Sequence, residues 1–92
     1  MVEQTVTVIN RAGLHARPAM VLVQTILKFN SSVFIEKEGK QINAKSIMGV
    51  ITLGASYGTV LKIIAEGDDE EAAVSALVNL FETKFSDELE NE

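Results

Sequence analysis

The stretch TVLKIIAE, residues 59–66, is the clearest strand in the chain and decides the kind of fold. Its apolar residues at 61, 63 and 65 share one side, with Lys62 on the other, a pattern typical of a strand with one buried face. Gly67 then turns the chain, and the acidic run DDEE at 68–71 opens a helix, whose N-terminal end stabilises negative charge. This succession predicts a sheet with helices packed on a single face.

Six further segments show strand or helix periodicity. Strands are predicted at residues 4–9, around 33–36 and at 40–44, and helices at 16–29, at 47–53 and from 68 to Phe85. The first of these helices has an apolar stripe formed by Ala19, Leu22, Val23, Ile26 and Leu27. We therefore predict an α+β fold, in which three helices cover one face of a mostly antiparallel sheet of four strands. The other face should meet water through Thr5, Thr7, Glu36 and Lys62.

Length and composition restrict the class of protein. The chain has 92 residues, enough for one domain spanning 1–92, and it is 47% hydrophobic and 23% charged. It has no cysteine, which excludes disulfides and zinc–thiolate sites and fits a reducing cytoplasm. The formal net charge is −5, without the basic patch of a nucleic-acid binder. No apolar run is long enough for a membrane span, and no N-terminal secretion signal is recognisable.

The stretch GLHARPA, residues 13–19, holds the only histidine and the only proline of the chain. Pro18 is tolerated in the first turn of a helix, which places His15 at or next to the N-cap. Arg17 follows within the first turn and is suited to phosphate. Because a cation there opposes the helix dipole, Arg17 does not serve helix stability. The alternative is that His15 is an ordinary surface or capping residue.

The combination of these residues favours phosphoryl chemistry. A neutral imidazole can attack phosphorus, while backbone N–H groups and Arg17 stabilise the added negative charge. The chain has no nucleotide-binding glycine motif and no second histidine, and we predict no cofactor and no metal. Donor and acceptor must then be other molecules, so a phosphoryl carrier fits better than a stand-alone enzyme.

Two motifs resemble those of the HPr family, the histidine-containing phosphocarriers of the bacterial sugar phosphotransferase system. GLHARPA is similar to the family's active-site motif, and KSIMGVITLG, residues 45–54, is similar to its regulatory-serine segment. The resemblance covers residues 2–85. It implies an open-faced β-sandwich with a four-stranded antiparallel sheet and three helices on one side. The acidic tail at 86–92 runs beyond the usual end, and we expect it to be disordered, without an assigned function.

The resemblance also implies partners and roles. His15 would accept a phosphoryl group at Nδ1 from enzyme I, which takes it from phosphoenolpyruvate, and pass it to the A domains of sugar permeases. Arg17 matches the family's phosphate-stabilising arginine. We expect a monomer.

Ser46 has two interpretations. Serine is a favoured N-cap, and capping alone explains its position before the short helix. The segment resembles the HPr type of Gram-positive bacteria, which implies that an HPr kinase/phosphorylase modifies Ser46. The phosphoserine form would hinder phosphorylation of His15 and bind a catabolite-control transcription factor.

The same resemblance implies an apolar docking patch around the histidine. Its candidate residues are Met20, Ile47, Met48 and Ile51. On the short helix, Ile47, Val50 and Ile51 lie near one side, so one or two of them must be buried. Met48 is the best exposed candidate, because methionine adapts to several partners.

Two functional hypotheses remain open. The first is a phosphocarrier in sugar uptake. The alternative is a regulatory interaction module with the same fold, which signals through His15 and Ser46 without serving transport. An independent enzyme is a poor third hypothesis, because one histidine and one arginine offer no substrate pocket.

Overall fold

Four strands form one antiparallel sheet in the order β1–β4–β2–β3, with three helices on one face. The computed structural model describes residues 1–83 and Phe85, so the expectation for 86–92 lies outside the described part. The elements are β1 (Val2–Thr7), α1 (Ala16–Ile26), β2 (Ser32–Lys37), β3 (Lys40–Asn43), α2 (Ile47–Thr52), β4 (Val60–Glu66) and α3 (Glu70–Glu82). The predicted element order and the open-faced α+β fold are confirmed.

The strand register explains how the alternation in β4 organises the sheet. Leu61 pairs with Val6 of β1, and Ile63 pairs with Ile35 of β2. All four side chains are buried under the helices. On the other face Lys62 lies between Thr5 and Glu36, as predicted for the face that meets water. β1, β2 and β4 therefore each contribute one face to a single apolar core, against which Ile42 of β3 also packs.

The first strand begins earlier than predicted. β1 spans Val2–Thr7 instead of 4–9, because its first residues pair with the end of β4. Val8 leaves the strand but stays bonded to the neighbouring loop. Its N–H donates to the Thr59 carbonyl at 2.9 Å, and its carbonyl accepts from Gly58 N at 2.7 Å.

All three helices end before the predicted residue, α2 by one residue, at Thr52 instead of Leu53. α1 ends at Ile26 instead of Phe29, and its C-cap residue Leu27 is 58% exposed. Leu27, which its spacing includes in the apolar stripe, therefore follows the last helical residue and is exposed. α3 ends at Glu82, and Phe85 follows outside the helix, its ring packed edge-on against Phe81 with the centroids 5.3 Å apart.

α1 and α3 run in opposite directions over the sheet, and this determines which ends of the two helices lie side by side. The N-terminal amine of Met1 lies 3.2 Å from Glu70, so β1 and α3 begin at the same end of the molecule. The carboxylate of Asp69 accepts hydrogen bonds from the backbone N–H groups of Asn30 and Ser31, at 2.8 and 2.9 Å, and from the Ser31 hydroxyl. α1 therefore finishes where α3 starts, and α1 starts at the end where α3 finishes.

Within residues 1–83 and 85, none of the helices is long and apolar enough to cross a bilayer.

Candidate functional site

His15 is the N-cap of α1, and its imidazole is not used for capping. The backbone of His15 is extended, its carbonyl accepts the first helical hydrogen bond from Ala19 N at 3.0 Å, and its side chain makes no capping bond. The residue is exposed. An N-cap side chain normally accepts a bond from the first turn. The His15 side chain does not accept such a bond, so the ring faces solvent and a partner can reach it.

The loop before His15 is held by a reciprocal pair of hydrogen bonds. Gly13 N donates to the Asn10 carbonyl at 3.1 Å, and Asn10 Nδ2 donates to the Gly13 carbonyl at 2.8 Å. Asn10 is buried, and its Oδ1 has no hydrogen-bond partner in the described structure. Leu14 N donates to the Ala55 carbonyl at 2.9 Å, which ties the loop to the segment after α2. These bonds fix the position of the His15 backbone.

Gly13 is required at its position for two reasons. Its φ is +74°, a conformation that L side chains rarely adopt. A Cβ there would also lie 2.6 Å from the Ala55 carbonyl oxygen and 3.0 Å from the Ser56 Cα. The close approach of these two backbone segments positions the imidazole at the start of α1.

Arg17 lies in the first turn of α1, one residue before Pro18. The side chain of Arg17 is exposed, whereas the Pro18 ring is fully buried. The N–H groups of Ala16 and Arg17 precede the first intrahelical bond of α1, at its positive end. His15 and Arg17 thus stand together at a helix terminus suited to a phosphoryl group, the chemistry that the sequence predicted.

Ser46 is the N-cap of α2, and its Oγ accepts a hydrogen bond from Gly49 N at 3.0 Å. The residue is exposed. Next to it, Lys45 Nζ donates to the Phe29 carbonyl at 3.0 Å, beyond the C-terminal end of α1. The other end of α2 leads to Ala55, beside the His15 loop. α1 and α2 are therefore antiparallel, and Ser46 lies at the end of this helix pair remote from His15.

The predicted docking residues differ in exposure. Met48 is 66% exposed, Met20 45% and Ile47 41%, whereas Ile51 is only partly exposed and packs against the core. Val50 is completely buried, as the prediction that one or two residues on this side of α2 must be buried requires. α1 and α2 pack against each other, so the exposed side chains of Met20, Ile47 and Met48 lie on neighbouring helices.

Sequence reasoning missed two exposed apolar side chains. Leu27 directly follows α1 and lies seven residues after Met20, a helical spacing that was detectable in the sequence. Tyr57 is 64% exposed in the loop after Ala55 and Ser56, which contact Gly13. Nothing in the sequence showed that this loop lies beside His15.

Comparisons with known proteins agree on one family. A family model described as the PTS HPr component phosphorylation site matches residues 2–83. The phosphocarrier protein HPr of Treponema pallidum is 48% identical over 88 residues, which are 96% of this chain and all of that protein.

Solved structures give the same result. An HPr from Thermoanaerobacter tengcongensis is 56% identical with a TM-score of 0.91, covering 94% of this chain and 97% of its own. Crh, a catabolite-repression protein of Bacillus subtilis, is 46% identical with a TM-score of 0.73, covering 91% and 97%. The Crh crystal structure is a domain-swapped dimer.

Proposed function

The chain belongs to the HPr family, the phosphocarriers of the sugar phosphotransferase system, and from this premise we propose that it carries phosphate on His15. It accepts a phosphoryl group from phosphorylated enzyme I and passes it to the A domains of sugar permeases. One observation carries the proposal: the imidazole of His15 is exposed at a helix N-terminus and makes no capping bond.

The reaction uses groups that this end of α1 provides. A lone pair on the His15 ring attacks phosphorus, the bond between phosphorus and the donor breaks, and its electron pair leaves with the donor. The added negative charge lies at the positive end of the α1 dipole, where Arg17 supplies a charge-assisted contact. In the onward transfer a nucleophile of the acceptor attacks phosphorus, the bond between phosphorus and the His15 nitrogen breaks, and its electron pair returns to the ring. The site therefore stabilises the phosphoryl group without holding it irreversibly.

The exposed face of α1 and α2 is the surface on which we propose that both partners dock. Met20, Ile47 and Met48 provide apolar contact area, with Arg17 at the His15 end and Ile51 contributing its exposed edge. Methionine side chains adapt to different surfaces, which suits a carrier that must bind a donor and several acceptors in turn. Because the partners share one surface, they bind one at a time.

We propose that Ser46 is a regulatory phosphorylation site for an HPr kinase/phosphorylase. Its hydroxyl is exposed, and a phosphate at the α2 N-terminus keeps the dipole interaction favourable. Because Ser46 lies at the far end of the docking surface, its phosphate acts on an approaching partner and not on His15 itself. The phosphoserine form would bind a catabolite-control transcription factor.

A second candidate function is a regulatory module that does not serve sugar transport. The similarity to Crh, which is named for catabolite repression, favours this alternative. His15 and Arg17 are both present and exposed here, which favours the carrier. We also propose that residues 1–92 act as one domain, which the match of one family model to residues 2–83 supports, and that the chain works as a monomer in the cytoplasm.

The experiment is a reconstituted relay. Phosphoenolpyruvate, Mg²⁺ and enzyme I are incubated with this chain, and an A domain of a sugar permease is added as acceptor. The phosphoryl group of phosphoenolpyruvate carries the label. The carrier proposal predicts that this label reaches the A domain only when this chain is present, and that His15→Ala blocks the transfer. Label that enters this chain but never reaches any A domain would favour the regulatory module.

A further inference from the structure

β1 is the longer of the two edge strands of the described sheet. The strand order places β1 and β3 at the edges, and β1 has six residues against four in β3. Lysine, proline and short length protect sheet edges from pairing with other chains. β3 is short and begins with Lys40, whereas β1 contains neither lysine nor proline, and Glu3 is its single charged residue. β1 is therefore the edge that remains open to pairing.

The backbone alternation of β1 shows which of its groups face the open edge. Val8, which continues the strand, directs both its N–H and its carbonyl toward the segment that leads into β4. Residues of an antiparallel strand alternate in the neighbour that they bond, so the backbone groups of Glu3, Thr5 and Thr7 point away from β4. The Thr5 carbonyl agrees with this direction, because it accepts a hydrogen bond from the side-chain amide of Gln4, at a long 3.4 Å.

A groove runs beside this edge, between β1 and α3. It has a volume of about 270 Å³, and its helix side is formed by Val78, Phe81 and Glu82. Ile9, which is 37% exposed, lines the groove just beyond the end of β1. Because β1 and α3 begin at the same end of the molecule, Glu82 lies near the end of β1. Its carboxylate is the only charged group among the described residues that line the groove.

An extended peptide segment has the chemistry that complements this edge. Its backbone offers donors and acceptors at the two-residue period of the outward groups of Thr5 and Thr7. Every second side chain of such a segment falls on the groove side, where an apolar group packs beside Val78. A lysine or arginine on the same side reaches the carboxylate of Glu82. A helix does not satisfy the edge, because its backbone groups bond each other.

We propose that β1 is a strand-addition site, at which an extended segment of a partner protein pairs antiparallel to β1 as a fifth strand. The segment has alternating apolar residues on the groove side and a basic residue that faces Glu82. α1 packs against both α2 and α3, so this edge beside α3 is separate from the docking surface on α1 and α2. The segment and a phosphoryl partner therefore bind at the same time.

A pair of methylated peptides tests the backbone pairing. The probe is acetyl-Lys-Thr-Val-Thr-Val-Thr-amide, in which the lysine and both valines share the groove side. In an antiparallel pair, opposite residues that bond each other have side chains on the same face of the sheet. The threonine amides of the probe should therefore bond β1, and the lysine and valine amides should point away. N-methylation of the threonine amides should weaken binding at least about tenfold, whereas N-methylation of the lysine and valine amides should preserve it.

Equal binding of the two methylated peptides overturns the proposal, because non-specific apolar or ionic contact does not distinguish them. An NMR titration of the ¹⁵N-labelled chain shows where the preserved peptide binds. We expect the signals of Thr5, Thr7 and Val78 to shift, and the two threonine amide protons to exchange more slowly with water. The signal of Ser46 should stay in place. Shifts confined to the acidic turn at 68–71 would show charge attraction alone and would overturn the proposal.

Variants of the chain give a second test. Thr5→Pro removes an outward N–H that β4 does not use, so β1 should keep its pairing while binding weakens at least about tenfold. The control Thr5→Val keeps the N–H and should bind as the wild type does. Glu82→Gln should weaken binding about two- to fivefold at low salt, and an unchanged affinity overturns the basic residue of the segment. If Thr5→Pro does not fold, the methylated pair still decides the pairing.

Sedimentation of the chain without peptide tests the other occupant of this edge, a second copy. We expect a monomer whose Thr5 and Thr7 amide protons exchange at a rate independent of protein concentration. A dimer that protects these two amide protons would make the second copy the occupant and would overturn the partner segment.

Discussion

The substitution Gly13→Ala tests how the fold positions His15. Gly13 has φ +74°, and an added Cβ would lie 2.6 Å from the Ala55 carbonyl oxygen, well below an ordinary contact of 3.4 Å or more. Both the strain and the overlap fall on the loop that leads into α1. We therefore expect a loss of stability and also a loss of His15 reactivity.

The magnitude follows from two contributions. Left-handed backbone at a non-glycine residue costs about 1–2 kcal/mol. Relieving the overlap moves Ala55 away from the loop, which weakens the hydrogen bond from Leu14 N to the Ala55 carbonyl by about 0.5–1.5 kcal/mol. The sum is about 1.5–3.5 kcal/mol. For a domain of this size each kcal/mol lowers Tm by about 4–8 °C, so a drop of about 6–28 °C is expected.

Gly39→Ala is the matched control. Gly39 also has positive φ, +85°, but no atom lies within 4 Å of the added Cβ, so only the backbone strain remains. Denaturant unfolding gives the free energy of each variant, and the phosphorylation rate is measured well below both melting temperatures. Equal stability of the two variants would refute the overlap argument. A normal phosphorylation rate in Gly13→Ala would refute the claim that this loop positions the imidazole.

Substitutions at three further residues test other parts of the molecule. Arg17→Ala should keep the fold and slow phosphoryl transfer about 10–150-fold, from the loss of a charge-assisted contact of about 1.5–3 kcal/mol; rates within about twofold of wild type would make Arg17 a spectator. Ser46→Asp should keep α2 capped and weaken His15 phosphorylation in a salt-dependent way, whereas Ser46→Ala should cost about 0.5–2 kcal/mol in unfolding experiments and leave transfer near normal. A strong fall in Tm for Ser46→Asp, with a kinetic defect that ignores salt, would make Ser46 a structural cap only. Hydrogen bonds from Ser31 and from Asn30 lower the pKa of Asp69. The contribution of this carboxylate to the free energy of unfolding is therefore present above the pKa of the unfolded chain, and it is lost as the pH falls below about 4. Asp69→Asn should therefore reduce the loss of unfolding free energy at acid pH. An unchanged dependence of the unfolding free energy on acid pH would contradict this contribution of Asp69.

The fold was predictable because the sequence patterns that determine it are local and recur along the chain. The alternation in β4 and the helical spacing in α1 each specify which face is buried, and the element order restricts the layers. The helix ends were less predictable. Leu27 continues the apolar spacing of Ile26 and Val23, but it follows the last helical residue and points to solvent. Apolar periodicity does not report where a helix stops.

The site was predictable only as far as it is contiguous along the chain. His15 and Arg17 are two residues apart, and Pro18 marks the first helical turn, so their juxtaposition follows from the sequence. The contact between Gly13 and Ala55 joins segments more than 40 residues apart in sequence. The nearby position of Tyr57 depends on that contact. Such long-range packing has no local pattern, and it required the structure.

The central claim is that the His15 imidazole is the phosphoryl acceptor. The most direct measurement is a phosphorus and histidine-ring NMR spectrum of the chain, purified from enzyme I and phosphoenolpyruvate after their reaction in Mg²⁺. We predict one signal from phosphorus bonded to a ring nitrogen of His15. The signal should be lost in acid, retained in base and absent from His15→Ala. A phosphorus signal that persists in His15→Ala, or that survives acid as a phosphate ester does, would contradict the claim.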